Sequence, residues 1–420
     1  ERSFARKDYL ASVEKEIERG NLSKAIANCD RLLTEGDKKM HTQLLKLRAE
    51  LAISGGDLEK AKHIYDEVLT NRELPWARLG LGIIEFHRNN IEQAISIFEQ
   101  LVKDSPMLME GYDWLSKAYE AANQPHDAQA ILHQAVDLSP QSILRQKKLA
   151  VTADRNGNLD VAEKAYKATV NLGKNSIYKS CDDFAGLAKL YSKTNANEEA
   201  LKTLKAMRTE YANSAEAELR AATVETEVYK KLGNEKAAEQ ALRKVISISD
   251  ELTGQVPKEL QLDIAKACFL NNQHEKAEQI LNGLIKTHID DEDFLNDVRG
   301  MQSGIGMDNH SEVLIQKTKQ ALIATNNQGV TLFKQGKYKE ALDLFEQAML
   351  AMPDNKTITL NMLKIIVHDL KTGDAGDEKM ERARALFTKA QQIGIDPRKL
   401  GVLLREFAEI SRRPLSINEA

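Results

Sequence analysis

Apolar and small residues recur along this chain at spacings of three and four, and a Gly or Asn breaks the pattern at regular intervals. Ala341, Phe345 and Ala348 show the spacing well; it is that of one face of an α-helix. Gly336, five residues before Ala341, suits a helix end, because glycine enters the left-handed conformation at little steric cost. Pro353 then stops the second helix. The same step occurs ten times: Gly20/Ala25, Gly56/Ala61, Asn89/Ala94, Asn123/Ala128, Gly157/Ala162, Asn195/Ala200, Gly233/Ala238, Asn272/Ala277, Gly336/Ala341 and Glu378/Ala383. Neighbouring alanines are 36, 33, 34, 34, 38, 38, 39, 64 and 42 residues apart. A period near 34 predicts an all-α solenoid of about ten stacked helix pairs.

The 64-residue step from Ala277 to Ala341 interrupts the period. It holds the acidic run Asp290, Asp291, Glu292 and Asp293, then Gly300, Gly304 and Gly306. The acidic run suits the positive end of a helix. The glycines predict a flexible joint over 300–310. That joint would divide an N-terminal array over 1–299, with about eight pairs, from a C-terminal array over 311–411. A second loop is expected at Thr372–Glu378 and a frayed tail over 412–420.

In the clearest unit, Thr325–Pro353, the order is small Gly329, then Leu332 and Phe333, Gly336, Tyr338, Ala341, Phe345, Ala348 and Pro353. This order resembles the tetratricopeptide repeat. Leu115, Tyr119, Ala128, Leu132, Ala135 and Pro140 repeat it, as do Leu81, Gly82, Ala94, Phe98 and Pro106. Terminal units depart from it, with Cys29 in place of an aromatic and Lys371 at a small position. The resemblance implies a right-handed superhelix that binds proteins and carries no catalytic residues. In that family the first helix of each pair lines a concave groove. Carried over by position, the partner-binding residues are Trp76, Leu79, Ile83, Phe86, Asp113, Trp114, Lys117, Lys147, Lys148 and Val151, with His87 and Lys189 beside them. The other role open to Trp76 and Trp114 is filling of the core between repeats. Arg145, Lys147 and Lys148 also fit an ordinary solvated helix face.

Arg72–Ala77, Tyr112–Leu115, Ser139–Pro140 and Asn326–Gly329 further resemble the repeat region of bacterial response regulators, in which a phosphorylated receiver domain precedes a tetratricopeptide output region. That resemblance implies a two-component signalling scaffold in the cytoplasm, with a receiver ahead of Glu1. The alternative is a module that senses a peptide or small ligand in the same groove.

Composition narrows the choice. There are 59 basic and 63 acidic residues, a net charge of −4, so nothing draws the whole chain to nucleic acid. No apolar run reaches the ~20 residues of a membrane span. Cys29, Cys181 and Cys268 are odd in number and lie in helical patterns, as buried reduced thiols do. Gly80-Leu81-Gly82 has no strand before it and reads as packing, not a dinucleotide loop. His288 with Asp290 and Asp291 comes nearest to a metal cluster but reads as a solvated acidic turn. No metal or cofactor is expected. The partner is a protein or peptide, and a homodimer stays open.

Overall fold

Each turn of the repeat is set by one backbone conformation. Gly20, Gly56, Asn89, Asn123, Gly157, Asn195, Gly233, Asn272 and Gly336 all have positive φ, between 57° and 79°. Only Gly, and less readily Asn, enters this region cheaply. The residue after each one donates its N–H back to the carbonyl five residues earlier, as Lys337 does to Leu332 and Gln124 to Tyr119. That bond closes the helix end and starts the return helix. The ten alanines predicted to follow these turns are all 0% exposed. A methyl group there lets the two helices of a pair approach closely.

The computed structural model describes residues 2–35, 40–174, 176–252, 256–307, 310–373, 376–393, 395 and 397–411. Among them there are 22 α-helices and no strand. Their contacts gather into two compact units, Glu1–Ala168 and Thr169–Ala420. The first unit contains α1/α2 (Arg2–Glu18, Leu22–Glu35), α3/α4 (His41–Ser54, Leu58–Asn71), α5/α6 (Pro75–His87, Ile91–Asp104) and α7/α8 (Met109–Ala121, Pro125–Leu138). It also holds α9 (Ile143–Arg155) and most of α10 (Leu159–Gly173), whose C-terminal end passes the unit boundary. The second unit contains α11/α12 (Cys181–Lys193, Asn197–Glu210), α13/α14 (Ala215–Lys231, Glu235–Glu251) and α15/α16 (Lys258–Leu270, His274–Thr287). These are followed by α17 (Glu292–Gly304), α18 (His310–Lys334), α19 (Tyr338–Ala351), α20 (Lys356–Thr372), α21 (Asp377–Gln392) and α22 (Pro397–Ser411).

The region of the expected joint differs from its prediction. Gly300 and Gly304 lie within α17, not in a loop. Gly306 has φ +76°, and Met307 N–H reaches back to the Gln302 carbonyl. This is the repeat turn again. Five residues on, at the alanine position, stands Ser311, only 3% exposed. The 64-residue step is therefore one repeat of 34 (277 to 311) and a short one of 30 (311 to 341). The short repeat arises because α18, 25 residues long, serves as the second helix of one pair and the first of the next. One apolar core joins Leu219 to Ile358 and takes in Phe294, Val298, Ile315 and Leu322 from this segment. The contact boundary falls inside α10, between Ala168 and Thr169, and not at residue 300. Asp308, Asn309 and the tail at 412–420 lie outside the described residues. Glu378 also departs from its expected role: it sits within α21, and the preceding connection includes Gly373 and Gly376.

Candidate functional site

The first helices of the third, fourth and fifth pairs, α5, α7 and α9, all within the first unit, carry the predicted groove residues other than Lys189. Two glycines bring α5 close to its neighbours. A Cβ on Gly80 would stand 2.2 Å from the Tyr65 ring, and one on Gly82 would stand 2.4 Å from the Phe98 ring. The Gly80-Leu81-Gly82 step is thus a packing device on a helix, as its sequence suggested.

Phe98, fully buried, is the floor of the site. Trp114 stacks on it with centroids 6.3 Å apart and planes 27° apart. Phe86 meets Trp114 edge-on at 5.6 Å. Leu79 and Ile83 pack around the same core. Lys117, one turn along α7, holds its ammonium 4.6 Å from the Trp114 ring centroid and 5.2 Å from that of Phe86. The negative faces of the rings attract the cation and hold it in place. His87 lies 6.1 Å from Trp114. Burial, helped by Lys117, pushes the His87 pKa below its usual 6.5, so the imidazole is neutral at neutral pH.

The structure therefore brings Leu79, Ile83, Phe86, Trp114 and Lys117 together. Trp76 belongs to a neighbouring cluster, half-buried with its ring edge-on to Tyr65 at 6.0 Å. Both tryptophans thus pack against cores while keeping part of their surface exposed. Asp113 is committed: Arg145 of α9 grips it with two bonds, Nε to Oδ1 at 3.1 Å and Nη2 to Oδ2 at 2.8 Å. Arg145 is half-buried in this fork, not a solvated residue. Lys148 and Val151 are exposed on α9, and Lys147 is half-buried. Leu144, also exposed on α9, was missed by sequence reasoning, although its spacing of seven from Val151 could have shown it.

In the second unit the corresponding helices carry charges that satisfy one another. Arg220 of α13 holds Asp182 of α11 at 2.5 Å and Glu216 at 2.9 Å. Glu227 accepts from Lys266 of α15 at 2.6 Å and from Lys231 at 3.0 Å. Lys189, expected in the groove, pairs with Asp263 of α15. Burial raises the Glu227 pKa, but Lys266 and Lys231 outweigh it and hold the carboxyl below its usual 4.5.

The chemistry elsewhere is quiet. The three cysteines are free and buried, and burial raises the pKa of Cys29 and of Cys268 to about 11, far from a reactive thiolate. Among the described residues no group of three or more His, Cys, Asp or Glu could hold a metal ion. No helix among them is long and apolar enough to cross a membrane.

Comparison with known families matches the tetratricopeptide repeat at residues 46–106, 227–251 and 323–355. The chain carries tetratricopeptide repeats at these places. Among solved structures it is similar to a tetratricopeptide repeat protein from Parabacteroides merdae, at 14% identity over 63% of this chain and 98% of that one, with a TM-score of 0.37. It is similar to a human IFIT1 dimer with m7Gppp-AAAA, at 16% identity over 96% of this chain and 89% of that one, TM-score 0.42. It is also similar to MamA from Desulfovibrio magneticus RS-1, at 21% identity over 40% of this chain and 92% of that one, TM-score 0.30. No curated protein matches its sequence.

Proposed function

Starting from a chain that carries tetratricopeptide repeats in both of its units, we propose that it is a protein-interaction scaffold which receives a segment of a partner on the α5–α7–α9 face of the first unit. One observation carries this: Phe86, Trp114 and Lys117 form a rigid aromatic–cation surface, braced from below by Phe98 and left partly open to solvent. Aromatic bodies supply contact area at little entropic cost, and such residues are enriched where binding energy concentrates. The face of the second unit offers less, because its charges already pair with one another.

A photo-crosslinking residue at Val151, on this face, tests the site against one at Lys164, exposed on the second helix of the same pair. Protein adducts in cells of the source organism are expected from position 151 and not from 164. Equal labelling, or adducts from 164 alone, would remove the site. The likeness to response-regulator output regions adds a finer proposal, that the partner is a signalling protein and that a receiver domain precedes Glu1 in the full polypeptide. The matched families describe the repeat and do not bear on this. A parent sequence without a receiver domain disposes of it.

A further inference from the structure

We infer that the α7–α9 half of this face takes an acidic, amphipathic segment of a partner protein, whose carboxylates meet Lys117 and Lys148 and whose apolar side chains lie on Leu144 and Val151. This deepens the groove proposal above and rests on it.

The sequence of α9 supplies the first half of the case. Leu144 and Val151 are 50% and 41% exposed, on a helix whose other face is core. Seven residues separate them, two helical turns, so they share one side of α9. Lys148 falls between them and Arg155 continues the line. Of the basic residues of this helix, Arg145 is paired with Asp113, and Lys148 is an exposed cation set between the two aliphatic side chains. An apolar stripe set among basic groups fits an apolar stripe set among carboxylates.

The register between α7 and α9 supplies the second half. Asp113 bonds to Arg145, and Glu120 accepts from the Thr152 hydroxyl; both steps are 32 residues. The same offset sets Lys117 across from Leu149, next in the chain to Lys148. No carboxylate among the described residues pairs with either lysine, and both are exposed. The Lys117 ammonium is already held over Trp114 and Phe86, so a partner's carboxylate would meet a cation that needs little further ordering.

The acidic groups nearby fix the polarity of the site. Asp113 is paired with Arg145, while Glu120 accepts a hydrogen bond from Thr152 and keeps its charge. Glu110 stays exposed in the first turn of α7. The acidic part of the segment would therefore lie at the Lys117–Lys148 level, between Glu110 and Glu120 along α7. The two exposed aliphatic side chains disfavour a polyphosphate backbone, which needs a run of cations and gains nothing from Leu144 or Val151.

The test is selection of a phage-displayed random 16-residue peptide library on the full chain. Enriched peptides are expected to carry Asp and Glu in excess of the library, interleaved with Leu, Ile or Phe. Synthetic copies should lose roughly tenfold or more in affinity for the Lys117→Glu, Lys148→Glu double variant, and weaken as salt rises. Lys117→Gln, Lys148→Gln is a milder pair should the charge reversal disturb folding, which a thermal melt followed by circular dichroism will show. Peptides without acidic bias that nevertheless fail to bind Leu144→Asp would overturn the partner chemistry while leaving the face in place. Peptides indifferent to both changes, or no enrichment at all, would overturn the face itself. A single-stranded RNA 16-mer that displaces the selected peptides and depends on the two lysines would overturn the assignment to protein.

Discussion

Lys189 of α11 pairs with Asp263 of α15, 74 residues further along the chain and past the intervening α13. Burial works against the ammonium, but Asp263 outweighs it and raises the Lys189 pKa above its usual 10.5. Arg220 stands close enough to repel Lys189. The two halves of the pair are thus not equivalent. Asp263→Asn leaves Lys189 and Arg220 with Asp182 as the carboxylate that both still feel, whereas Lys189→Met leaves Asp263 without its lysine but removes the repulsion on Arg220. Both side chains are partly exposed, 39% and 26%, so Asp263→Asn is expected to cost about 1 kcal/mol and Lys189→Met less. Urea unfolding of the two variants measures the order; the reverse order would sink the account.

The pH dependence has a defined sign at Glu227. Its folded pKa lies below the usual 4.5, so it contributes stability that is present above that value and is lost as pH falls through the folded pKa. Asp291 acts in the same sense, its pKa lowered chiefly by its bond to Lys258. Stability should therefore decline with acid below about pH 4.5. Glu227→Gln, less stable at neutral pH, should show a shallower decline. Parallel acid profiles for variant and wild type would mean that Glu227 does not contribute.

Trp76 is half-buried against Tyr65, a position between groove anchor and core. Trp76→Ala should cost about 2 kcal/mol of stability, some half of the loss for a fully buried aromatic. The affinity of a peptide selected on the α7–α9 face should stay nearly unchanged, because Trp76 belongs to another cluster. A large loss of affinity in the folded variant would place Trp76 in the site.

Two glycines should respond in opposite directions to the same change. Gly82→Ala drives a methyl into the buried Phe98 ring and should cost about 1–3 kcal/mol. Gly300→Ala meets nothing within 4 Å and lies inside α17, so it should add roughly 0.5–1 kcal/mol. If 300–310 instead serves as a joint, limited proteolysis will cut within it before any repeat, and Gly300→Ala will bring no gain. Thermal melts and the first cleavage site decide between them.

The sequence by itself determined the local units. A left-handed turn admits Gly or Asn, and a close helix pair admits a small side chain five residues on; both demands act within a few residues, so both were legible as spacing. Nine turns and ten buried alanines lie where that spacing puts them. The repeat at Gly306 escaped notice because Ser311 fills the alanine position, and its three glycines suggested a loop where α17 is helical. Tertiary structure decided which surface residues are already taken. Asp113 and Arg145, or Lys189 and Asp263, meet only once neighbouring pairs have stacked, and their separations of 32 and 74 residues leave no local trace. The groove residues were placed on the right helices by the repeat. Which of them keep exposed charge not paired to a carboxylate or guanidinium, as Lys117 and Lys148 do and Asp113 does not, depends on side chains from other repeats.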